Sequence, residues 1–587
     1  MFLVTTALEK FWDTSKEILF LGEWCKLYSR KHIWEKLNYR TLPYHWDDRR
    51  KLFADYLYLD GVYEKYLSRV ADLLNMIHGL RKSKRYWRII IGPWLFYFVE
   101  ILFDRYESIK KAASSGEVKN TWVSDYRSNS FPPIDFNHFF TEAIDDPYNH
   151  LLYSYIIPKT STIPYKIVDT AINLKGPEAP STEIRGTKYF LLKLLSFYTG
   201  VLPERYKQYV FIHSYLKWID IFSLQVKLGQ FPSLYFGQSV RYPTCPINDQ
   251  MRKKMVLRDG DSEFEKILDE LIPLQIPRLY VEGFRAFYEE VYRHLPQRTH
   301  LIFTANASIG IESFKFWAAD QAEKGAKLVL TQHGGHHGMG LISAELKHET
   351  NIADCYFTWG WTDKNNNKIK PMPSGQLHKY HNKVKPSKDG FVLWVMMGLP
   401  RYSYWLYSLP IGPQFLSYID DQRRFYESLQ DSVKEKILMK PYMKDFGWND
   451  RMRYHDLMPK VRQYTGRRNM IELLKESKLF VGTYNSTTYL ETFAADFPTI
   501  IFWDPDHWEL RTHVRPLFET LREAGILHYS PESAARKVNE VFSDPFSWWK
   551  SKEVQSAKDL FCRKFALINS HWKDIWSEEL RKIAEGA

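Results

Sequence analysis

The sequence predicts an α/β fold of two Rossmann-like domains facing a cleft, with a large helical insertion in the N-terminal half and a helical tail at the C-terminus. Three observations predict it. From Phe264 onward, short apolar runs alternate with amphipathic stretches, the rhythm of strand–helix units in a parallel sheet. The rhythm stops over Thr362 to Asp389, a stretch rich in Lys, Asn and Pro, and then restarts. At 587 residues the chain is also too long for one core, and this length suits about two to four domains. The expected division is 1–365 for the first domain, with the insertion at about 104–262, then a linker at 366–389, a second domain at 390–545 and tail helices at 546–587.

Taken in order, Leu3–Thr5 and Ile18–Leu21 read as short buried strands, the second ending in Gly22-Glu23-Trp24-Cys25. Glu23 directly follows an apolar run, so a buried carboxylate there needs a partner or marks a site. Leu52, Tyr56, Leu59, Val62, Tyr66 and Val70 recur at spacings of three and four, which predicts a long amphipathic helix over Arg49–Leu80. Ile89–Phe103 is the most apolar run, but it holds Gly92-Pro93 and Glu100 and is shorter than a membrane span. It reads as a strand ending at Gly92 and a helix with Pro93 in its first position. The preceding Arg81–Arg88 run suits either a solvated face or anionic lipid headgroups.

Asp135–Tyr155, Lys188–Tyr198 and Tyr206–Phe222 read as helices of the insertion, whose aromatic and basic residues suit an acceptor groove or plain packing. Then follow helices at Phe264–Ile272 and Tyr280–Arg293, strand His300–Thr304, helix Ile311–Glu323 and strand Lys327–Leu330. Beyond Tyr356–Trp359 and the linker come strand Phe391–Met396, helix Gln414–Ser428, strand Ile437–Met439 and helix Met470–Lys475. Strand Leu479–Val481 leads into a hydroxyl-rich turn and a helix over Tyr489–Ala495, and Thr499–Phe502 is the next strand. Helices at Val514–Ala524, Pro531–Phe542 and Trp548–Ile583 finish the chain.

Composition narrows the function. The net charge of +12 suits acidic substrates, nucleic acid or anionic lipid, but the basic residues are scattered and no nucleic-acid motif is present. Four widely spaced cysteines show no metal-ligand spacing and fit free thiols in a reducing cytoplasm. No signal peptide is visible. Aromatic residues make up 16% of the chain, which suits carbohydrate sites and interfaces.

Two segments carry chemistry. The first is Thr483 to Thr488, TYNSTT, between a strand and a helix. In an open parallel sheet ligands sit at strand carboxyl ends, where free N–H groups and the helix dipole favour a phosphate. Asn485 or Ser486 is equally suited to an ordinary helix cap. The second is the loop Thr331–Gly340, TQHGGHHGMG, at the end of another strand. Its glycines let backbone approach a ligand and its histidines bring titratable groups there. Adjacent His336 and His337 point apart and the loop holds no acidic residue, so no metal is expected, and His333 is the first choice for a catalytic or phosphate-contacting role. Dinucleotide and P-loop glycine signatures are missing.

Two Rossmann-like units with a helical tail resemble the GT-B glycosyltransferases, in which the C-terminal half holds the nucleotide, the N-terminal half the acceptor, and the tail packs back on the first domain. LVTTALEKFWD, ILFLGEWC, TQHGGHHGMG and GTYNSTTYLETFAADFPTI together resemble a transferase family of bacterial surface-polysaccharide and O-antigen gene clusters. More distantly the chain is similar to GT-B enzymes that use CMP-activated ulosonic acids, the β-Kdo and sialic acid transferases. In several of these a Ser/Thr pair at a helix start binds the CMP phosphate, matched here by Ser486 and Thr487. Lys440-Pro441 stands where those enzymes carry His-Pro.

The resemblance implies metal-independent transfer of a sugar, CMP-linked, to a surface-polysaccharide or lipopolysaccharide acceptor, with no other cofactor. Tyr484, Asn485, Ser486, Thr487 and Thr488 would hold the donor, Lys440 would neutralise the leaving group, and Glu491 would meet the ribose. His333 would serve as base or bind the reacting carboxylate, with Gln332 and Glu23 as neighbours and Gly334, Gly335 and His336 lining the loop near the donor. The expected partners are a nucleotide sugar and a free or lipid-linked glycan, not nucleic acid, and the place is the cytoplasm, with peripheral contact to the anionic inner membrane left open. Transfer of a polyol phosphate from a CDP-alcohol and non-catalytic glycan binding stay open beside this reading.

Overall fold

The computed structural model of the chain describes residues 1–129, 131–174, 198, 201–235, 240–258 and 260–586. Its frame is three parallel sheets. The first joins β1 (Phe2–Val4), β2 (Ile18–Phe20), β3 (Tyr39–Thr41), β4 (Asn120–Val123) and β5 (Tyr165–Ile167) in the order β3-β2-β1-β4-β5. The second joins β6 (Tyr209–Phe211), β7 (Leu301–Thr304), β8 (Lys327–Thr331), β9 (Cys355–Thr358) and β10 (Ile369–Pro371) in simple succession. The third joins β11 (Phe391–Val395), β12 (Ile437–Lys440), β13 (Arg462–Gln463), β14 (Ser477–Gly482), β15 (Thr499–Phe502) and β16 (Leu527–His528) in the order β13-β12-β11-β14-β15-β16. The first and third sheets thus reverse order between β1 and β4 and between β11 and β14, the points where open sheets form a crevice. The fold is α/β and GT-B-like, with an additional sheet at the N-terminus.

The expectation of a helical insertion over 104–262 is corrected, because the stretch supplies β4 and β5 of that sheet and β6 of the second. Asn120–Val123, Tyr165–Ile167 and Tyr209–Phe211 are too short for their period to show, and pairing with β1, β4 and β7 makes them strands. The helix expected over Tyr206–Phe222 is therefore β6 followed by a helix at Trp218–Lys227. The expected helix Lys188–Tyr198 lies outside the described residues except for Tyr198. The linker is not all linker either. Ile369–Pro371 adds a strand to β9 and Gly375–His378 forms a helical turn.

The helix Arg49–His78 forms where the spacing places it. The Asp48 side chain accepts from the N–H groups of Arg50 and Lys51 at its start, and Gly79 ends it in left-handed conformation. Ile89–Phe103 departs from expectation. It lies within one helix, Lys84–Ser114, with Pro93 inside rather than at the start. An interior proline costs about 3 kcal/mol, and burial of the surrounding side chains, including Ile89, Ile90, Trp94 and Phe98, offsets it. This helix is long and apolar enough to cross a membrane, but its apolar window is wholly buried in protein. At its start Lys82, Lys84, Arg85 and Arg88 pair with Asp320, Glu64, Asp354 and Glu64, so the run is not a free basic face.

The tail helix Trp572–Glu585 crosses back to the second sheet, where Trp572, Trp576 and Leu580 pack with Phe211, Phe303 and Phe357. A second long-range junction links the first and third sheets. Arg401, in the loop after β11, donates to the Trp24 carbonyl and pairs with Asp146. The Tyr402 hydroxyl (2.6 Å) and the Ala7 N–H (2.9 Å) also donate to Asp146. Ala7 and Trp24 follow β1 and β2, so the third sheet's loop fills the carboxyl edge of the first.

Candidate active site

The hydroxyl turn lies at the order reversal of the third sheet. Val395 at the end of β11 is flanked by Lys440 on one side and Gly482 on the other. The chain leaves β14 through Thr483, whose buried hydroxyl donates to the Val395 carbonyl at 2.8 Å and fixes the exit. The helix Thr487–Ala494 follows. Ser486 stands at its N-cap position but its side chain makes no capping bond, so the ordinary-cap reading is not met. Asn485 Oδ1 accepts from the Tyr489 hydroxyl at 2.9 Å. Asn485 Nδ2 and Thr488 Oγ1 are buried without partners. Leaving such atoms unpaired costs about 1–3 kcal/mol each, and both lie at the helix start.

The Gly/His loop closes directly on this turn. Gly335 N–H donates to Thr487 Oγ1 at 3.0 Å, and His336 Nδ1 meets the Asn485 carbonyl at 3.3 Å. Its partner is a carbonyl oxygen, so His336 carries its hydrogen on Nδ1. The His336 ring is buried between Tyr407 and Trp508, and burial holds it neutral, down to about 3. An antiparallel bridge from Gly340 to Leu510 binds the end of the loop to the third sheet's side of the cleft.

His333 faces two carboxylates from the helix Ala344–Ile352. Its Nε2 lies 3.4 Å from Glu345 and its Nδ1 3.5 Å from Glu349. Glu349 is fully buried and accepts from the Tyr356 hydroxyl at 3.0 Å, and His337 Nδ1 lies 2.8 Å from the same hydroxyl. Tyr356 spends its hydrogen on Glu349, so His337 Nδ1 must donate to Tyr356. Burial opposes charge on His333, but Glu349 and Glu345 outweigh it and the ring keeps its proton above the ordinary imidazole range. Burial raises Glu349, Glu345 adds to this, and His333 only partly offsets it. His337 is driven well below the usual value by burial and by the positive ring beside it.

His333, His337 and Glu349 are the described residues that could hold a metal ion. The acidic partner missing from the loop comes from the helix after it. Their ligand atoms spread up to 4.8 Å apart, whereas a tetrahedral zinc with 2.0–2.1 Å bonds needs about 3.3 Å between ligands. The 3.5 Å approach of His333 to Glu349 is that of an ion pair.

The other predicted residues divide. The Lys440 side chain makes no hydrogen bond or ion pair among the described residues, and burial lowers its ammonium against the pull of Tyr464 and Glu491. Glu491 is nearly buried, and burial raises its carboxyl against the Tyr380 hydroxyl, Lys379 and Lys440. Tyr484, pushed up to about 12 by burial, lies beside Thr488, Glu491 and Tyr442. These residues share the turn's surroundings. Gln332 does not face the crevice. Its Oε1 accepts from Trp359 N–H and Trp361 Nε1 and its Nε2 donates to the Gly334 carbonyl, so it holds the loop. Glu23 is not brought to the loop either, because among the described residues its side chain bonds only Lys26, at 2.8 Å. Glu345, Glu349 and Tyr356 were missed. The signal was the spacing of four between the glutamates, which puts both on one face of a helix directly after the loop.

The sequence profile of the LIC12162 family of transferases matches residues 1–580, and the chain belongs to this family. No curated protein matches it. Similar solved structures include MnaA of S. aureus with UDP, at 8% identity and a TM-score of 0.34, over 64% of this chain and 96% of that one. Anabaena Alr3699/HepE with UDP and glucose gives 12% and 0.34 over 64% and 99%. The α,α-trehalose 6-phosphate synthase of Burkholderia multivorans gives 11% and 0.32 over 53% and 77%.

Proposed function

We propose that the protein is a glycosyltransferase that moves a CMP-activated ulosonic acid, of Kdo or nonulosonate type, onto a surface-polysaccharide or lipopolysaccharide acceptor. One observation carries the reading: two buried, unpartnered polar atoms, Asn485 Nδ2 and Thr488 Oγ1, wait at a helix N-terminus that faces a histidine loop across the crevice. A donor phosphate would satisfy both atoms and sit where the helix dipole favours it. Ser486 and Thr487 contribute hydroxyls, Lys440 offers an unpaired cation to the leaving group, and Glu491 meets ribose hydroxyls. His333 takes the acceptor side. The reaction is placed in the cytoplasm, with the acceptor's lipid carrier in the inner membrane, a placement that the net charge of +12 favours.

The test is thermal stabilisation by CMP, CDP, UDP and GDP. Stabilisation by CMP alone supports the proposed donor. A response to UDP or GDP points to another nucleotide sugar, and one to CDP alone to a CDP-alcohol donor. No response to any nucleotide removes the enzyme reading in favour of glycan binding. A Ser486→Ala, Thr488→Val double variant that keeps full nucleotide response removes the phosphate site from this turn.

A further inference from the structure

We propose that Glu349, fixed by Tyr356, is the positioning carboxylate of His333, and that Glu345 holds the place the acceptor hydroxyl takes. The inference rests on the transferase reading for its chemistry, but its geometry stands independently. Glu345 and Glu349 are one turn apart on the helix Ala344–Ile352, which the Ser343 side chain caps. They meet the two nitrogens of one ring at nearly equal distances, 3.4 and 3.5 Å, yet their surroundings differ. Glu349 is completely buried and tied through Tyr356 to β9, which pairs with β8, the strand that leads into the His333 loop. Glu345 is also buried, but among the described residues its carboxylate makes no hydrogen bond to side chains other than His333.

A purely structural ion pair does not account for this cluster. Buried pairs contribute little compared with well-packed apolar residues, and a second carboxylate adds a buried charge that the single imidazole does not balance. Glu349 Oε1 and His333 Nδ1 have no hydrogen-bond partner, so their 3.5 Å approach is an electrostatic contact, and the Ala305 backbone is a further neighbour of the ring. A histidine with one nitrogen held by a fixed carboxylate and the other meeting a movable group is the arrangement of an oriented proton acceptor.

In the step that follows, Glu345 takes the Nε2 proton of the charged His333 ring as the acceptor hydroxyl displaces it, so the ring enters the transfer neutral with Nε2 free. The hydroxyl oxygen forms a bond to the donor's anomeric carbon and its proton passes to Nε2. The bond from that carbon to the donor phosphate oxygen breaks, and its electron pair leaves with the nucleotide phosphate toward Lys440 and the start of the helix Thr487–Ala494. Glu349 faces the imidazolium as it forms.

The experiment is residue-resolved deuterium exchange at the histidine ring carbon, followed by mass spectrometry over a pH series on the full-length protein. It needs no substrate. Wild-type His333 should titrate at least one pH unit above an ordinary histidine, about 6.5. Glu349→Gln should lower that midpoint at least tenfold in proton affinity. Tyr356→Phe, which keeps the carboxylate but frees it, should lower it less and serves if Glu349→Gln folds poorly. A wild-type midpoint at or below the ordinary value, or one unmoved in both variants, overturns the proposal. So does a midpoint that shifts when wild type is treated with EDTA, which would make the cluster a metal site. Nucleotide thermal shifts on the same variants separate the two readings. Retained nucleotide response with an unmoved His333 sinks the pair alone, and lost wild-type nucleotide response with the expected midpoints sinks the donor reading alone.

Discussion

Gly335 and Thr487 join the two sides of the crevice through one hydrogen bond, the Gly335 N–H donating to Thr487 Oγ1 at 3.0 Å across 152 positions of chain. Only glycine permits the approach. A Cβ at residue 335 would lie 2.5 Å from the Ser486 carbonyl carbon and oxygen. Gly335→Ala should therefore push the loop off the helix start. Expected are a loss of about 1–3 kcal/mol in denaturant unfolding, the usual cost of overpacking, and loss of the nucleotide response in thermal shift.

Acid should weaken the fold through histidines buried neutral. His348 is fully enclosed with neither nitrogen partnered, and burial holds it down to about 3. In the unfolded chain it titrates near about 6.5. Its folded value is depressed, so its contribution is complete above the unfolded value and is lost as pH falls from there toward the folded value. The loss runs at up to about 1.4 kcal/mol per pH unit. His348→Leu should flatten the fall of unfolding free energy between pH 6 and 4 by one proton's worth of slope, measured by urea titration at several pH values.

The tail helix should be worth more than its place at the chain end suggests. Trp576 packs on Phe303 and Phe357, and its indole donates to the Pro373 carbonyl at 2.9 Å. Trp576→Ala should cost about 3–5 kcal/mol, and limited proteolysis should then cut the chain near residues 566–572 first.

Arg401→Met should destabilise by about 3–5 kcal/mol, because it leaves the buried Asp146 charge without its cation. Arg401→Met combined with Asp146→Asn should recover much of that loss. Equal instability of the single and double variants in chemical denaturation would count against the pairing.

The third sheet was the most legible part of the chain. Leu479–Val481 and Thr499–Phe502 are apolar runs bounded by glycine, proline and polar residues, so strand and turn chemistry agree there. Asn120–Val123, Tyr165–Ile167 and Tyr209–Phe211 carry no such signal, and only pairing with strands far along the chain defines them. Pro93 misled because local propensity favours a helix start, whereas burial on every side keeps one helix going through it. At the site, the turn and loop were visible because glycines, hydroxyls and histidines cluster in sequence. Glu349 was not, since its meaning depends on the fold bringing helix Ala344–Ile352 under the loop. Glu23 shows the opposite failure, a site-like position in sequence that the structure spends on Lys26.

The junction at Arg401 also bears on how the molecule is made. The Trp24 carbonyl and the Asp146 carboxylate wait for a guanidinium that lies 377 and 255 residues further along. A ribosome has therefore built the whole first sheet and the whole second sheet before the first can close its carboxyl edge. Contacts of such range slow folding and leave surface exposed meanwhile. The N-terminal sheet is thus no autonomous unit, and fragments that stop before residue 401 should emerge with an open, aggregation-prone edge.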